Sequence, residues 1–158
     1  MEQPLVSGIA LDKNQARVSL SGVIDRPGIA SDIFTRLADN SVNIDMIIQT
    51  SGHDGKTNLD FTVPKTELID AKKVVETFIA DEEISEATYD ENICKVSIVG
   101  VGMKSHTGVA AKAFQTMARE NINIMMISTS EIKVSMAIDE KYAELAVRSL
   151  HSAYSLDK

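Results

Sequence analysis

From Ala16 to Ile24 apolar and polar positions alternate, with Val18, Leu20 and Val23 set against Ser19 and Ser21, which predicts a strand. Asp25-Arg26-Pro27-Gly28 interrupts the alternation. Ile29, Ile33, Phe34 and Leu37 then recur at helical spacing, so a helix is predicted to about Asn40. Proline is tolerated at a first helical turn because its missing N–H would be unpaired there anyway. Asn43–Thr50, rich in Ile and Met, predicts a buried strand, and Gly52-His53-Asp54-Gly55 a turn. Leu59–Val63 is a further strand, ended by Pro64. Leu68, Ala71, Val74, Val75 and Phe78 form the apolar face of a second helix, and Ala87–Asp90 a short last strand. The order β-α-β-β-α-β is the split βαβ, or ferredoxin-like, arrangement.

The pattern then repeats. Val18-Ser19-Leu20 answers to Val96-Ser97-Ile98, Gly28-Ile29-Ala30 to Gly108-Val109-Ala110, Phe34 to Phe114, and Asn43-Ile44-Asp45-Met46-Ile47 to Asn123-Ile124-Met125-Met126-Ile127. From the glycine onward the offset is a constant 80; ahead of it the offset is 78, so the second copy has the longer loop. Cys94–Val101, Ile124–Ser128 and Lys133–Ile138 are its predicted strands, and Gly108–Glu120 and the segment carrying Tyr142, Leu145, Ala146, Val147 and Leu150 its helices. Ser155-Leu156-Asp157-Lys158 is too short and polar to be its fourth strand, whereas Leu5–Leu11 is an apolar segment the first copy does not need. The expected fold class is therefore α+β: two ferredoxin-like domains, each an antiparallel sheet with helices on one face. The first domain (12–91) is inserted in the second (1–11 and 92–158). Domains this small are marginal alone, so they are expected to pack together or dimerise.

Composition narrows the functional classes. Of 158 residues 44% are apolar, and no run is long enough to span a bilayer. No secretory signal follows Met1, and the single cysteine, Cys94, fits a reducing compartment, so a cytoplasmic location is expected. A net charge of −7 argues against nucleic acid or an anionic membrane as partner. His53, His106 and His151 lack zinc-type spacing, so no metal site is expected, and Asp81-Glu82-Glu83 reads as a solvated helix end. Phosphate-binding, nucleophile-elbow and dinucleotide motifs are absent, so no catalytic residue is assigned.

The candidate chemistry lies in the loop between the first strand and first helix of each copy: Asp25-Arg26-Pro27-Gly28-Ile29-Ala30, and Met103-Lys104-Ser105-His106-Thr107-Gly108-Val109-Ala110. A helix start leaves backbone N–H groups free for an anion such as a carboxylate. Glycine lets a ligand approach the backbone, and Asp25 offers a charge for an ammonium group. Together these describe a receptor for a free α-amino acid; the competing reading is a capping turn with Asp25 as N-cap.

The sequence resembles the C-terminal regulatory region of aspartate kinase, built from two ACT domains. The stretches carrying the resemblance are Val18–Asp25 with Pro27-Gly28, Asn43–Gln49, Lys95–His106, and Asn123-Ile124 with Ile127–Ile132. The resemblance implies an allosteric region that senses threonine and/or lysine for feedback inhibition of aspartate-family amino-acid biosynthesis. It implies a homodimer and a kinase catalytic domain or subunit as partner. No cofactor is expected in this chain, since ATP and Mg would be used by the absent kinase domain. In the family the effector sits between the first ACT domain of one chain and the second of its partner. Carried over by motif, Asp25, Pro27, Gly28, Ile29, Ala30, Asn43, Ile44, Asp45 and Gln49 line the site from one chain, and Val109, Ala110, Asn123, Ile124, Thr129 and Ser130 from the other. Thr107 stands where many relatives have proline, and Ala110 where many have a hydroxyl residue.

Three other classes compete. An enzyme on this fold lacks a catalytic constellation. An RNA-binding module would stack bases on sheet aromatics, and this chain has four Phe, three Tyr and no Trp. A ligand-independent dimerisation module is separable by titration with free amino acids.

Overall fold

No strand breaker lies between Leu11 and Ala16. Asp12-Lys13-Asn14-Gln15 are polar but include neither Gly nor Pro, and in the computed structural model β1 runs unbroken from Leu5 to Ile24. The same holds at Asp90-Glu91-Asn92, where the two predicted strands on either side join into β4 (Ile84–Val101). The remaining strands and α-helices are α1 (Ile29–Asp39), β2 (Ile47–Ser51), β3 (Lys56–Val63), α2 (Leu68–Ala80), α3 (His106–Arg119), β5 (Ile124–Thr129), β6 (Lys133–Asp139) and α4 (Ala143–Ala153), with 3-10 turns at Lys65–Glu67 and Glu140–Tyr142. The structure describes residues 5–101 and 106–156. The chain divides into two compact units: Asn14–Glu91, and the described residues of Met1–Lys13 with Asn92–Lys158.

In the 14–91 unit the strand order is β2-β3-β1-β4, with β3 antiparallel to both β1 and β2. Period-2 geometry puts Val18, Leu20, Leu59, Phe61 and Val63 on one face, where Ile33 and Leu37 of α1 and Ala71, Val75 and Phe78 of α2 cover them. Phe34 meets Phe61 edge to face at 5.4 Å. Each fully buried side chain of this size stabilises the unit by about 1.5–3 kcal/mol. The other unit has the order β5-β6-β4-β1. Cys94, Val96, Ile98, Val134, Met136 and Ile138 pack there against Ala113 and Met117 of α3 and Ala146 and Leu150 of α4. Val6 and Ile9 of β1 pack on this second core, and the Ser7 hydroxyl donates to the Val99 carbonyl at 3.1 Å.

One detail departs from the sequence reading. The predicted strand 43–50 is ladder-paired only from Ile47, as β2. The Thr62 side-chain hydroxyl accepts the Met46 N–H at 3.0 Å, while the Asp45 N–H goes to the Thr62 carbonyl, so residues 43–46 follow β3 irregularly. The four α-helices of the described residues all end in the left-handed conformation without a glycine, at Ser41, Glu82, Asn121 and Ser155. Each end closes with the paired bonds of a Schellman turn, as in Ser41 N to Ala38 O and Val42 N to Leu37 O. The residue that follows is Val42, Ile122 or Leu156 in three cases and Glu83 in the fourth.

Candidate functional site

The β1–α1 loop is held by its own backbone. Asp25 N–H donates to the Gly55 carbonyl (3.2 Å), Arg26 N–H to Ile24 (3.2 Å), and Ile29 N–H to Arg26 (3.2 Å). Gly28 occupies the N-cap position of α1 at φ 91°, ψ −6°, a left-handed conformation open to glycine, and no side chain caps the helix. Asp25 is therefore not an N-cap, and its carboxylate stays exposed. The first helical bond runs from Asp32 N–H to Gly28 O (2.9 Å), so the amides of Ala30 and Ser31 precede it and α1 offers them no carbonyl.

Asp25 lines a surface pocket of about 450 Å³ together with Gln49, Thr50, Ser51, Gly52, Gly55, Lys56 and Thr57. The β2–β3 hairpin builds its far wall. Gly52 N–H donates to Lys56 O (3.0 Å) and Lys56 N–H to His53 O (3.1 Å), with Asp54 and Gly55 both left-handed at the turn. Gln49 projects from the outer strand, and its amide donates to the Thr57 hydroxyl (3.3 Å), which in turn donates to the Thr50 carbonyl (2.8 Å). Thr57 is buried and fixes the Gln49 amide at the pocket. The charged lining residues are Asp25 and Lys56, one of each sign. Lys56 also donates to the Ser85 hydroxyl at 3.3 Å.

The structure brings Asp25 and Gln49 together and distributes the other expected residues around them. Pro27, Gly28 and Ala30 form the loop and helix start outside the pocket lining, and the Ile29 side chain is core. Asn43 is engaged elsewhere: its backbone N–H donates to Glu67 at 2.6 Å and its side-chain amide to both oxygens of the same carboxylate. Ile44 packs on the core, while Asp45 is exposed. In the other unit Val109 is core, Ala110 and Ile124 pack against it, and Asn123, Thr129 and Ser130 are exposed, with Ser130 N–H on Lys133 O at 2.8 Å. Of the second copy's loop, Met103, Lys104 and Ser105 lie outside the described residues, as do the side chains of His106 and Thr107.

Sequence reasoning missed the hairpin side of the pocket. The signal was present, because Gln49 and the Gly52–Gly55 turn are neighbours in sequence and a tight turn must bring Lys56 and Thr57 back beside Gln49. It also missed Glu83. Rather than ending in solvent, Glu83 accepts from Arg26 at 2.6 Å, and Arg26 also donates to Asp32 at 2.8 Å. Glu83 first and Asp32 second raise the Arg26 guanidinium above its ordinary pKa. Among the described residues no group of His, Cys, Asp and Glu could hold a metal ion, and no helix is long and apolar enough to cross a membrane.

Residues 17–83 and 96–154 each match an ACT domain. Over its full length the chain is 64% identical to aspartokinase of Helicobacter pylori (strain ATCC 700392 / 26695), and it spans 38% of that protein's length. It superposes on a chain of the crystal structure of aspartokinase alpha and beta subunits with a TM-score of 0.87 and 50% identity, covering 95% of this chain and 99% of that one. It superposes equally, at 0.87 and 42% identity, on the ligand-free regulatory subunit of aspartate kinase from Thermus thermophilus, covering 94% of this chain and 98% of that one.

Proposed function

The chain belongs to the aspartokinase family as its tandem-ACT regulatory region, and on that premise we propose that it is an allosteric sensor of free threonine and lysine that biases a kinase catalytic part. The observation that carries this reading is the pocket holding Asp25, Lys56 and Gln49. A free amino acid is a zwitterion. Asp25 takes its ammonium, while Lys56 and the unbonded amides at the start of α1 favour its carboxylate. Gln49 and the hydroxyls of Thr50 and Ser51 read the side chain, and threonine is the preferred ligand because its hydroxyl both donates and accepts.

The protein works as a homodimer in which a partner's second ACT domain brings Val109, Ala110, Asn123, Ile124, Thr129 and Ser130 to the site. β2 and β5 are the outer strands of their units, and Ile47 and Ile127, 80 residues apart, stand exposed on them at 52% and 43%. Outer strands with apolar side chains call for cover. The ATP chemistry, its Mg ion and the aspartate substrate belong to the catalytic part, and the whole acts in the cytoplasm.

Calorimetry of the chain with threonine, lysine and both tests the reading. Hydrogen bonds to charged groups contribute about 1.5–3 kcal/mol each, so Asp25→Ala is expected to weaken binding roughly tenfold or more. A parent that dimerises but takes up neither amino acid is the ligand-independent dimerisation module instead.

A further inference from the structure

We propose that Arg26 and Glu83 form a positioning clamp for the amino-acid loop, so that Glu83, which lies outside the pocket, sets the affinity of the site. The inference rests on the pocket around Asp25 being the amino-acid site.

The loop has an unusual need for such a device. It joins β1 to α1 in four residues, one of them proline and one a left-handed glycine, and no side chain caps the helix it starts. The usual side-chain N-cap, which fixes a helix entry, is missing. Arg26 supplies the anchorage instead. Its Nη2 donates forward to Asp32 Oδ2 in the first turn of α1 (2.8 Å) and across to Glu83 Oε2 (2.6 Å), while Nη1 lies 3.4 Å from the Pro27 carbonyl. Glu83 is itself fixed by backbone bonds. Its N–H closes the α2 Schellman turn on Phe78 O (2.9 Å), and its carbonyl accepts the N–H of Ile24 (3.0 Å), the residue just before Asp25. One guanidinium thus ties together the end of β1, the first turn of α1 and the turn after α2. Both the amides of Ala30 and Ser31 and the Asp25 carboxylate sit on the segment it holds.

The second repeat gives an internal control. With the offset of 80 that holds from the glycine onward, Asp32 corresponds to Lys112, and the residue after the left-handed end of α4 is Leu156 in place of Glu83. A lysine and a leucine cannot reproduce the clamp. Three of the four helix ends place an apolar residue where α2 places Glu83. A carboxylate there serves the loop and not the helix end, because the Schellman turn itself favours an apolar contact at that position.

That contrast supplies the variant that separates positioning from folding. Glu83→Leu removes the carboxylate but restores the apolar residue used at the other helix ends, so the thermal midpoint is expected to stay level or rise. Glu83→Leu and Glu83→Gln should each weaken threonine or lysine binding by about three- to fivefold, the modest effect expected of one partly exposed ion pair. Amide exchange of residues 25–31 should quicken in both. Unchanged exchange in 25–31 overturns the clamp. Quickened exchange with undiminished affinity, in a protein whose Asp25→Ala variant has lost affinity, overturns its positioning role and leaves the site standing. If Asp25→Ala also binds as tightly as the parent, or the parent binds neither amino acid, the site reading itself fails and the clamp's role in binding falls with it.

Discussion

Gly22 lies inside β1, where glycine has no strand-forming advantage, and the structure gives two separate reasons for it. The β1–β3 register slips between Leu20 and Val23, and Gly22 takes φ 63° at that bulge. A Cβ placed there meets Ser85 Oγ at 2.4 Å and Ser85 Cβ at 2.7 Å. Gly22→Ala therefore incurs the cost of a left-handed L-residue, roughly 1–2 kcal/mol, and an overpacking cost of about 1–3 kcal/mol. The expected loss is roughly 2–5 kcal/mol. The two parts separate in a double-mutant cycle with Ser85→Gly. That change removes both clashing atoms but also the hydroxyl that donates to Gly22 O at 3.2 Å. It relieves the steric part and leaves the conformational part, so the coupling energy should recover about 1–3 kcal/mol. Urea unfolding of the four proteins at one concentration, with slopes checked for equality, measures it. A Gly22→Ala loss under about 0.5 kcal/mol, the size of an ordinary surface change, or a coupling energy near zero, refutes the reasoning.

Tyr154 is half-buried, its hydroxyl donates to the Val109 carbonyl at 2.5 Å, and burial pushes its pKa up to about 12 from an ordinary 10. The native state holds this proton more tightly than the unfolded chain does, so its contribution is intact below pH 10 and is lost as pH rises toward 12. After allowance for partial exposure, stability should fall by about 1 kcal/mol across that window, and Tyr154→Phe should flatten this part of the urea-midpoint profile. Ser41 ends α1 at φ 62°. Ser41→Gly removes about 1–2 kcal/mol of conformational cost against about 0.5–1 of added unfolded-state entropy, so thermal unfolding should show a small gain in stability; a loss would mean the hydroxyl has a role of its own.

The helices and their inward faces were legible because their apolar spacing carries the signal directly: Ile29, Ile33 and Leu37, and Leu68, Ala71, Val75 and Phe78, are all buried. The bulge was half visible, since Val18, Leu20 and Val23 slip out of strict alternation at Gly22. Strand continuity through residues 12–15 and 90–92 was not, because polar residues without Gly or Pro can equally be a loop. Nor could β2 be trimmed to Ile47 from sequence, since its true start depends on Thr62 taking the Met46 N–H across the sheet. At the site, Asp25 and the glycine-led helix start were readable as local chemistry, and Gln49 came through the family resemblance. Lys56 and Thr57 follow from the Gly52–Gly55 turn, a signal that was present and not used, whereas Glu83 becomes visible only when the chain folds back, through a contact 57 residues distant in sequence.

The account's central claim is that a free amino acid is held between the α1 start and the β2–β3 hairpin. Backbone amide NMR shifts of the parent and Asp25→Ala, recorded with added threonine and with added lysine, test it most directly. The account predicts that at least one of the two amino acids shifts residues 25–31 and 49–57 together in the parent and that Asp25→Ala needs roughly tenfold more of it, or more, to produce the same shifts. No shift with either amino acid, or shifts confined to other residues and unaffected by Asp25→Ala, would contradict it.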